Sequence, residues 1–161
     1  QYDSYPVPVL LCVTLGTGLG SGLILNGTIF HGTLFAPELS EIPWKDGVTE
    51  DFVSKRRLMH LAKSAGLGQI DPQALYELAA NDKRARQIWQ QFGIDLGEML
   101  SIAHCMYDPE VIVIGGQIAK AWRYFSPPMK KELKKHAQFR LPRLVVNKLK
   151  NPGVIGAALL V

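Results

Sequence analysis

The amino-acid sequence predicts a mixed α/β layer structure, a sheet with flanking helices. Three observations point there. Pro6–Leu15 reads as a strand apolar on both faces, with an unbroken apolar run over Val9–Val13. A helical apolar pattern then runs for about 25 residues from Asp82 to Tyr107. After it, short strand-like and helix-like segments alternate to the end of the chain.

The first strand is expected over Pro6–Leu15 and, being apolar on both faces, is expected in the middle of a sheet. Gly16-Thr17-Gly18-Leu19-Gly20-Ser21-Gly22 follows. Leu23–Leu25 and Thr28–Phe30 flank Asn26-Gly27, the strongest short hairpin signal, because both residues tolerate positive φ. The glycine-rich segment therefore joins two strands and does not open a helix. Residues 31–52 are broken by Pro37, Pro43 and Gly47. Lys55–Ala65 reads as a helix with Leu58, Leu61 and Ala62 on one face. Asp71-Pro72 marks the next helix start, an N-cap followed by proline at the first helical position. Asp82 starts the long helix, in which Ile88, Trp89, Phe92, Leu96, Met99, Leu100 and Ala103 recur at three- and four-residue steps. Gly93 and Gly97 weaken it by roughly 1 kcal/mol each and leave room for another backbone, either inside the fold or across a dimer interface. Asp108-Pro109 ends it. Val111–Ile114 is a short buried strand, Gly115-Gly116 turns, and Ile118–Phe125 is helical. Pro127-Pro128 is expected to start a separate helix reaching His136. Arg143–Leu149 is strand-like, and Val154–Val161 reads as a terminal buried helix.

The chain has 161 residues, which fits a single domain over 1–161, with net charge +4 and a pI near 9.1. No apolar run approaches the ~20 residues of a membrane span, and no signal-peptide pattern is visible, so a cytoplasmic protein without a membrane partner is expected. The basic residues fall mainly on helix faces, without the interleaved aromatics of a nucleic-acid stripe. Cys12 and Cys105 read as small hydrophobes, and with no CxxC or HxxxH spacing no metal site is expected. The chain opens Gln1-Tyr2-Asp3, without Met and nearly in a strand, so a segment upstream is expected.

Gly16-Thr17-Gly18-Leu19-Gly20 is neither a Walker loop nor a GxGxxG strand-to-helix turn. It is either a plain hairpin turn or a backbone cradle for phosphate oxygens, since glycine allows close approach. Gly115-Gly116, just beyond a strand's carboxyl end, is either a packing turn or a flat shelf for a base or ribose. The two lie about 95 residues apart, and together they say more than either alone.

Val13–Gly32 (VTLGTGLGSGLILNGTIFHG), the segment DPEVIVIGGQIA within Leu96–Ala119, and the ending Gly153-Val154-Ile155-Gly156-Ala157-Ala158 resemble the ROK family of sugar kinases and sugar-responsive transcriptional repressors. The resemblance covers essentially the whole chain, but only the family's second lobe. It implies the C-terminal lobe of the actin-like ATPase, or ribonuclease H-like, fold. It implies Gly16, Thr17, Gly18 and Gly20 near the β- and γ-phosphates, Gly115 and Gly116 at the adenosine, and ATP with Mg²⁺ as cofactors. The family's sugar-reading AGExGH stretch is matched by Ala36-Pro37-Glu38-Leu39-Ser40-Glu41, with both glycines and the His changed. Glu38, Glu41, Glu50 and His31 are the sugar-binding candidates, their alternative being solvated loop residues. The family's CxCGxxGCxE loop is missing except for a counterpart of its last residue, Glu50, so no zinc is expected. Pro37, Pro43 and Trp44 would then hold the loop by packing.

The family's catalytic base and its DxGGT turn belong to the first lobe, and no DxGGT occurs here. No catalytic residue is therefore assigned in this chain. The expected function is the nucleotide- and sugar-binding lobe of an ATP-dependent kinase for a hexose or N-acyl hexosamine, inactive without its partner lobe. The alternatives are the effector domain of a ROK-type repressor, with nucleic acid as partner only through an upstream DNA-binding part, and a degenerate non-catalytic interaction domain. The resemblance also implies a homodimer.

Overall fold

The computed structural model describes residues 7–33, 38–136 and 140–147. The expected terminal helix Val154–Val161, the Gly153–Ala158 motif, Ala36-Pro37 and the opening Gln1–Asp3 lie outside these residues.

Five strands form one sheet: β1 (Val9–Leu15), β2 (Leu19–Leu25), β3 (Thr28–Phe30), β6 (Val111–Gly115) and β7 (Arg143–Val146), in the order β3-β2-β1-β6-β7. The doubly apolar β1 is the central strand. It pairs antiparallel with β2 and parallel with β6, while β6 and β7 run parallel. Asn26 and Gly27 both take positive φ (49° and 80°), so the β2–β3 turn forms as the dipeptide predicts. A two-stranded hairpin of β4 (Pro43–Trp44) and β5 (Gly47–Val48) stands apart from the sheet.

The helices are α1 (Thr49–Phe52), α2 (Lys55–Ser64), α3 (Pro72–Leu78), α4 (Lys83–Tyr107) and α5 (Trp122–His136). Asp71 caps α3 by accepting the Ala74 N–H (2.8 Å). Asp82 caps α4 through the Arg84 and Ala85 N–H groups, and the Arg84 side chain holds its carboxyl down at about 2. Asp108, left-handed at φ 44°, ends α4.

One face of the sheet (Leu11, Val13, Leu15, Leu23, Ile112, Ile114) packs into the core with α4 and α5. On the opposite face Leu10, Cys12, Val113 and Val145 are half-buried, and burial pushes the Cys12 thiol up.

The α4–α5 contact corrects one expectation and resolves another. Pro127-Pro128 does not start a helix; both lie inside a continuous α5. The prolines cost two intrahelical bonds. Phe125, Met129 and Leu133, all fully buried against α4, hold the helix through them. Phe125 meets Trp89 and Phe92 at centroid distances of 6.2 and 5.6 Å. Gly93 and Gly97 serve this internal contact. A Cβ on Gly93 would lie 2.3 Å from the Phe125 carbonyl oxygen, and one on Gly97 would lie 2.6 Å from that of Met129. The residues after Gly116 also differ from expectation. Gln117–Ala121 form a 3₁₀ turn, and the α-helix starts only at Trp122.

Candidate functional site

Parallel pairing of β1 with β6 brings the two glycine turns to the same edge of the sheet, beyond the carboxyl ends of both strands. Gly16-Thr17-Gly18 is a three-residue hairpin loop closed by the Leu15–Leu19 pair, and the Gly16 N–H donates to the Gly18 carbonyl (3.0 Å). Gly116 has φ 89°, and a Cβ there would fall 2.2 Å from the Leu15 carbonyl oxygen. Only glycine fits that position, because backbone meets backbone.

Gly16 is bare for a different reason. Its φ is not in the left-handed region, and none of the described residues lies within 4 Å of where its Cβ would be. Neither conformation nor packing excludes a side chain, so the missing atom leaves free space over the turn. Thr14, Gly16, Thr17, Gly18, Gly20, Glu50 and Gly116 line the cavity there, about 360 Å³.

The turn is fixed from outside. Glu50, on α1, accepts the Leu19 N–H at 2.9 Å. Its carboxylate occupies the space beside Gly18, where a Cβ would approach Oε2 to within 2.3 Å. The Lys55 N–H, at the start of α2, donates to the Gly16 carbonyl (3.1 Å). Ser54 caps α2. Thr49 Oγ1 donates to the Leu39 carbonyl, and the Leu39 N–H donates to Ser21 Oγ (3.0 Å), tying segment 38–41 to α1 and β2.

The β4–β5 hairpin is pinned by Lys45, at φ 56° on its tip. The Lys45 ammonium donates to Asp95 Oδ1 (2.8 Å) on α4 and lies 3.5 Å from Glu98 Oε2. It also sits 3.8 Å from the centre of the Trp44 ring, which meets Phe52 edge-on at 5.0 Å. Asp95 is 1% exposed, and its second oxygen has no hydrogen-bond partner among the described residues.

A second cavity, about 370 Å³, opens from Gly16 and Thr17 toward α3 and the 3₁₀ turn. Its walls are Lys55, Pro72, Gln73, Tyr76, Trp89, Gln117, Ile118 and Lys120. The Trp89 indole N–H is buried without a partner among the described residues. Aromatic and aliphatic walls with a few polar groups suit a flat heterocycle, and this cavity meets the one over the turn at the Gly16–Thr17 backbone.

The predicted residues separate into two groups. Gly16, Thr17, Gly18, Gly20 and Gly116 share one cavity with Glu50, and Gly115 ends the adjoining strand. Glu38 is half-buried and accepts from Ser40 Oγ (2.9 Å), while Glu41 and His31 are exposed. Lys55, Tyr76, Gln117 and Lys120 were not singled out in the sequence. Their only signal is position: Lys55 follows an N-cap serine, and Gln117 follows the glycine pair. Trp89, read as core, is fully buried and also forms a cavity wall.

The aspartates take structural roles. Asp71 and Asp82 cap helices, Asp51 pairs with Arg56, Asp95 pairs with Lys45, and Asp108 ends α4. Among the described residues no group of three or more His, Cys, Asp or Glu side chains gathers as a metal site, and no helix is long and apolar enough to cross a membrane. His104, buried with Nδ1 unpartnered among the described residues, faces a cavity of about 620 Å³ with Asp108 and Glu110, near the entry to β6 and away from the glycine turns.

The sequence model of the ROK family matches residues 4–161. The chain is 28% identical to a glucokinase of Halalkalibacterium halodurans over 84% of its own length and 48% of that protein's. It is 23% identical to a xylose repressor of Caldicellulosiruptor bescii, over 91% of this chain and 44% of the repressor. The chain thus spans about half the length of the curated relatives it matches. Among solved structures, a ROK family glucokinase from Streptomyces griseus, crystallised with glucose and AMPPNP, superposes with a TM-score of 0.85. That match covers 98% of this chain and 62% of that one, at 23% identity, and shows a shared fold. The mixed sheet with flanking helices is the fold expected from the sequence.

Proposed function

The chain belongs to the ROK family, and from that premise we propose that it is the C-terminal, nucleotide- and sugar-binding lobe of an ATP-dependent sugar kinase. The observation that carries this reading is the meeting of the Gly16–Gly20 turn and Gly116 in one open cavity that continues into the Tyr76–Lys120 cavity. In the first part the turn backbone and the Thr17 hydroxyl would hold phosphate oxygens, and Mg²⁺ would supply neutralisation of their charge. The second has the shape and walls for adenosine. Bound there, ATP supplies the transferable phosphoryl group. The chain's own residues position it: the hydrogen bonds from Lys55 to Gly16 and from Leu19 to Glu50 fix the turn before any ligand arrives.

Glu38, at the start of segment 38–41, and Glu50, on α1, are the sugar-reading carboxylates of this proposal, with Glu41 and His31 beside them. The base that takes the hydroxyl proton belongs to the partner lobe. The Lys45–Asp95 bond and the Trp44–Phe52 contact hold the β4–β5 hairpin. Dimerisation is part of the same proposal. The effector domain of a repressor is the second reading, favoured by the xylose repressor among the relatives.

The test is a thermal-shift titration of the full-length protein with MgADP and then with hexoses and N-acyl hexosamines. A rise in melting temperature with MgADP, enhanced by one sugar, is expected. A response to sugar with none to any nucleotide favours the repressor reading and overturns the kinase. Phosphorylation of a hexose by residues 1–161 alone would overturn the division of labour between lobes.

A further inference from the structure

Helix α1 is a single turn, too short to hold a direction of its own. Its setting comes from what grips its two sides. Successive residues step by about 100°, so Glu50 and Phe52 project from nearly opposite faces. Glu50 reaches the glycine turn, where its Oε2 accepts the Leu19 N–H (2.9 Å) and its carboxylate fills the space beside Gly18. Phe52 reaches the β4–β5 hairpin, where it meets Trp44 edge-on and its ring centre lies 5.1 Å from the Lys45 ammonium. Between them Asp51 accepts the Val48 N–H (3.1 Å) and joins the helix to β5. A displacement of the hairpin is therefore passed through α1 to Glu50.

One charge locates the hairpin. Lys45 donates to Asp95 Oδ1 (2.8 Å), Gln91 Nε2 donates to the same oxygen (3.1 Å), and the ammonium covers the Trp44 ring. Asp95 is buried on α4, a 25-residue helix packed against α5. A buried ion pair adds little net stability over an apolar pair of similar volume. What it adds is direction. A charge-assisted hydrogen bond fixes the hairpin tip to one oxygen atom, whereas an apolar contact tolerates sliding. The pair thus ties the long helix to the cavity over the glycine turn, by way of the hairpin and α1.

We propose that Lys45 is a positioning residue for this site: bound to Asp95, it sets the β4–β5 hairpin and α1, and so holds Glu50 on the glycine turn. The proposal rests on the reading of Gly16–Gly20 as a phosphate site. The turn then loosens when the pair is lost, even where overall stability is regained.

The experiment compares the full-length protein with Lys45→Met/Asp95→Leu and with Lys45→Arg, by amide exchange without ligand and by MgADP titration. In the double variant no charge is left stranded, yet exchange in the Leu15–Leu23 segment is expected to rise about tenfold. Exchange in α4 and α5 is expected to stay as in the parent, and MgADP to weaken about threefold to tenfold. Lys45→Arg keeps a cation for Asp95 and Trp44 and is expected to stay within about twofold on both readouts. Because Lys45 acts through Glu50, the same double change made on Glu50→Ala is expected to add nothing further. Unchanged exchange at the turn, or a rise shared equally by α4 and α5, overturns the proposal. So does a MgADP loss that persists in full on Glu50→Ala, or unchanged MgADP affinity in the double variant. Where that variant does not fold, Lys45→Gln against Lys45→Arg carries the comparison, and equal exchange at the turn in the two overturns the proposal. A parent protein that binds no MgADP overturns the phosphate reading, while the exchange readout still decides whether Lys45 holds the turn.

Discussion

Gly16, Gly18 and Gly116 are chemically identical and are bare for three different reasons. Gly116 is required by a backbone contact and a positive φ, Gly18 by the Glu50 carboxylate, and Gly16 by nothing among the described residues. Gly116→Ala should therefore lower stability by about 1–3 kcal/mol. Gly16→Ala should leave the melting temperature nearly unchanged while weakening MgADP, because its methyl group enters the free space over the turn. Melting curves with and without MgADP separate the two effects. Lys45 offers a second single-residue test. Lys45→Met leaves Asp95 buried and uncompensated. Fully buried pairs lose ~3–5 kcal/mol on such a change. Lys45 is 37% exposed, so about 2 kcal/mol is expected by denaturant unfolding. Adding Asp95→Leu should recover much of the loss, since a neutral pair has no stranded charge.

Helices α4 and α5 cross where glycine replaces side chains, and among the described residues this contact is the largest between helices. Gly97→Val would drive its methyl groups into the Met129 carbonyl and Glu132 Cβ, both closer than 2.8 Å to the Cβ position. Neither a backbone carbonyl nor a β-carbon can swing aside. A loss of about 3 kcal/mol is expected, with Trp89 fluorescence reporting the disturbed aromatic cluster. The ends of the same helices set an acid response. Arg84 holds Asp82 down at about 2, and Lys135 lowers the Glu132 carboxyl. Both groups bind protons more weakly in the folded chain than in the unfolded one. The stability they confer is present above the ordinary carboxylate value near 4 and is lost as pH falls toward about 2. Asp82→Asn should flatten that decline in a pH series of melts.

Across the molecule, what the sequence revealed was local and what it hid was assembled. The Asn26-Gly27 turn, the Asp71 and Asp82 caps and the central place of β1 follow from a few neighbouring residues each, and the structure has them all. Pro127-Pro128 misled because a local breaker competes with packing, and Phe125, Met129 and Leu133 prevail only once α4 lies against them. The glycine turns were visible as motifs. Lys55, Tyr76 and Lys120 were not, since they come together only when β6 pairs with β1 and swings the 3₁₀ turn across from α3. The internal use of Gly93 and Gly97 was undecidable for the same reason. That one pairing has a kinetic consequence. Leu10 meets Val111 across about 100 residues of intervening chain, so the cradle rests on the costliest loop closure of the fold. Partly ordered chains lack it, whichever helices they have formed. A ligand that spans both turns therefore has no purchase on the folding transition state. Stopped-flow chevrons with saturating MgADP should show an unfolding limb displaced to slower rates and a refolding limb left where it was.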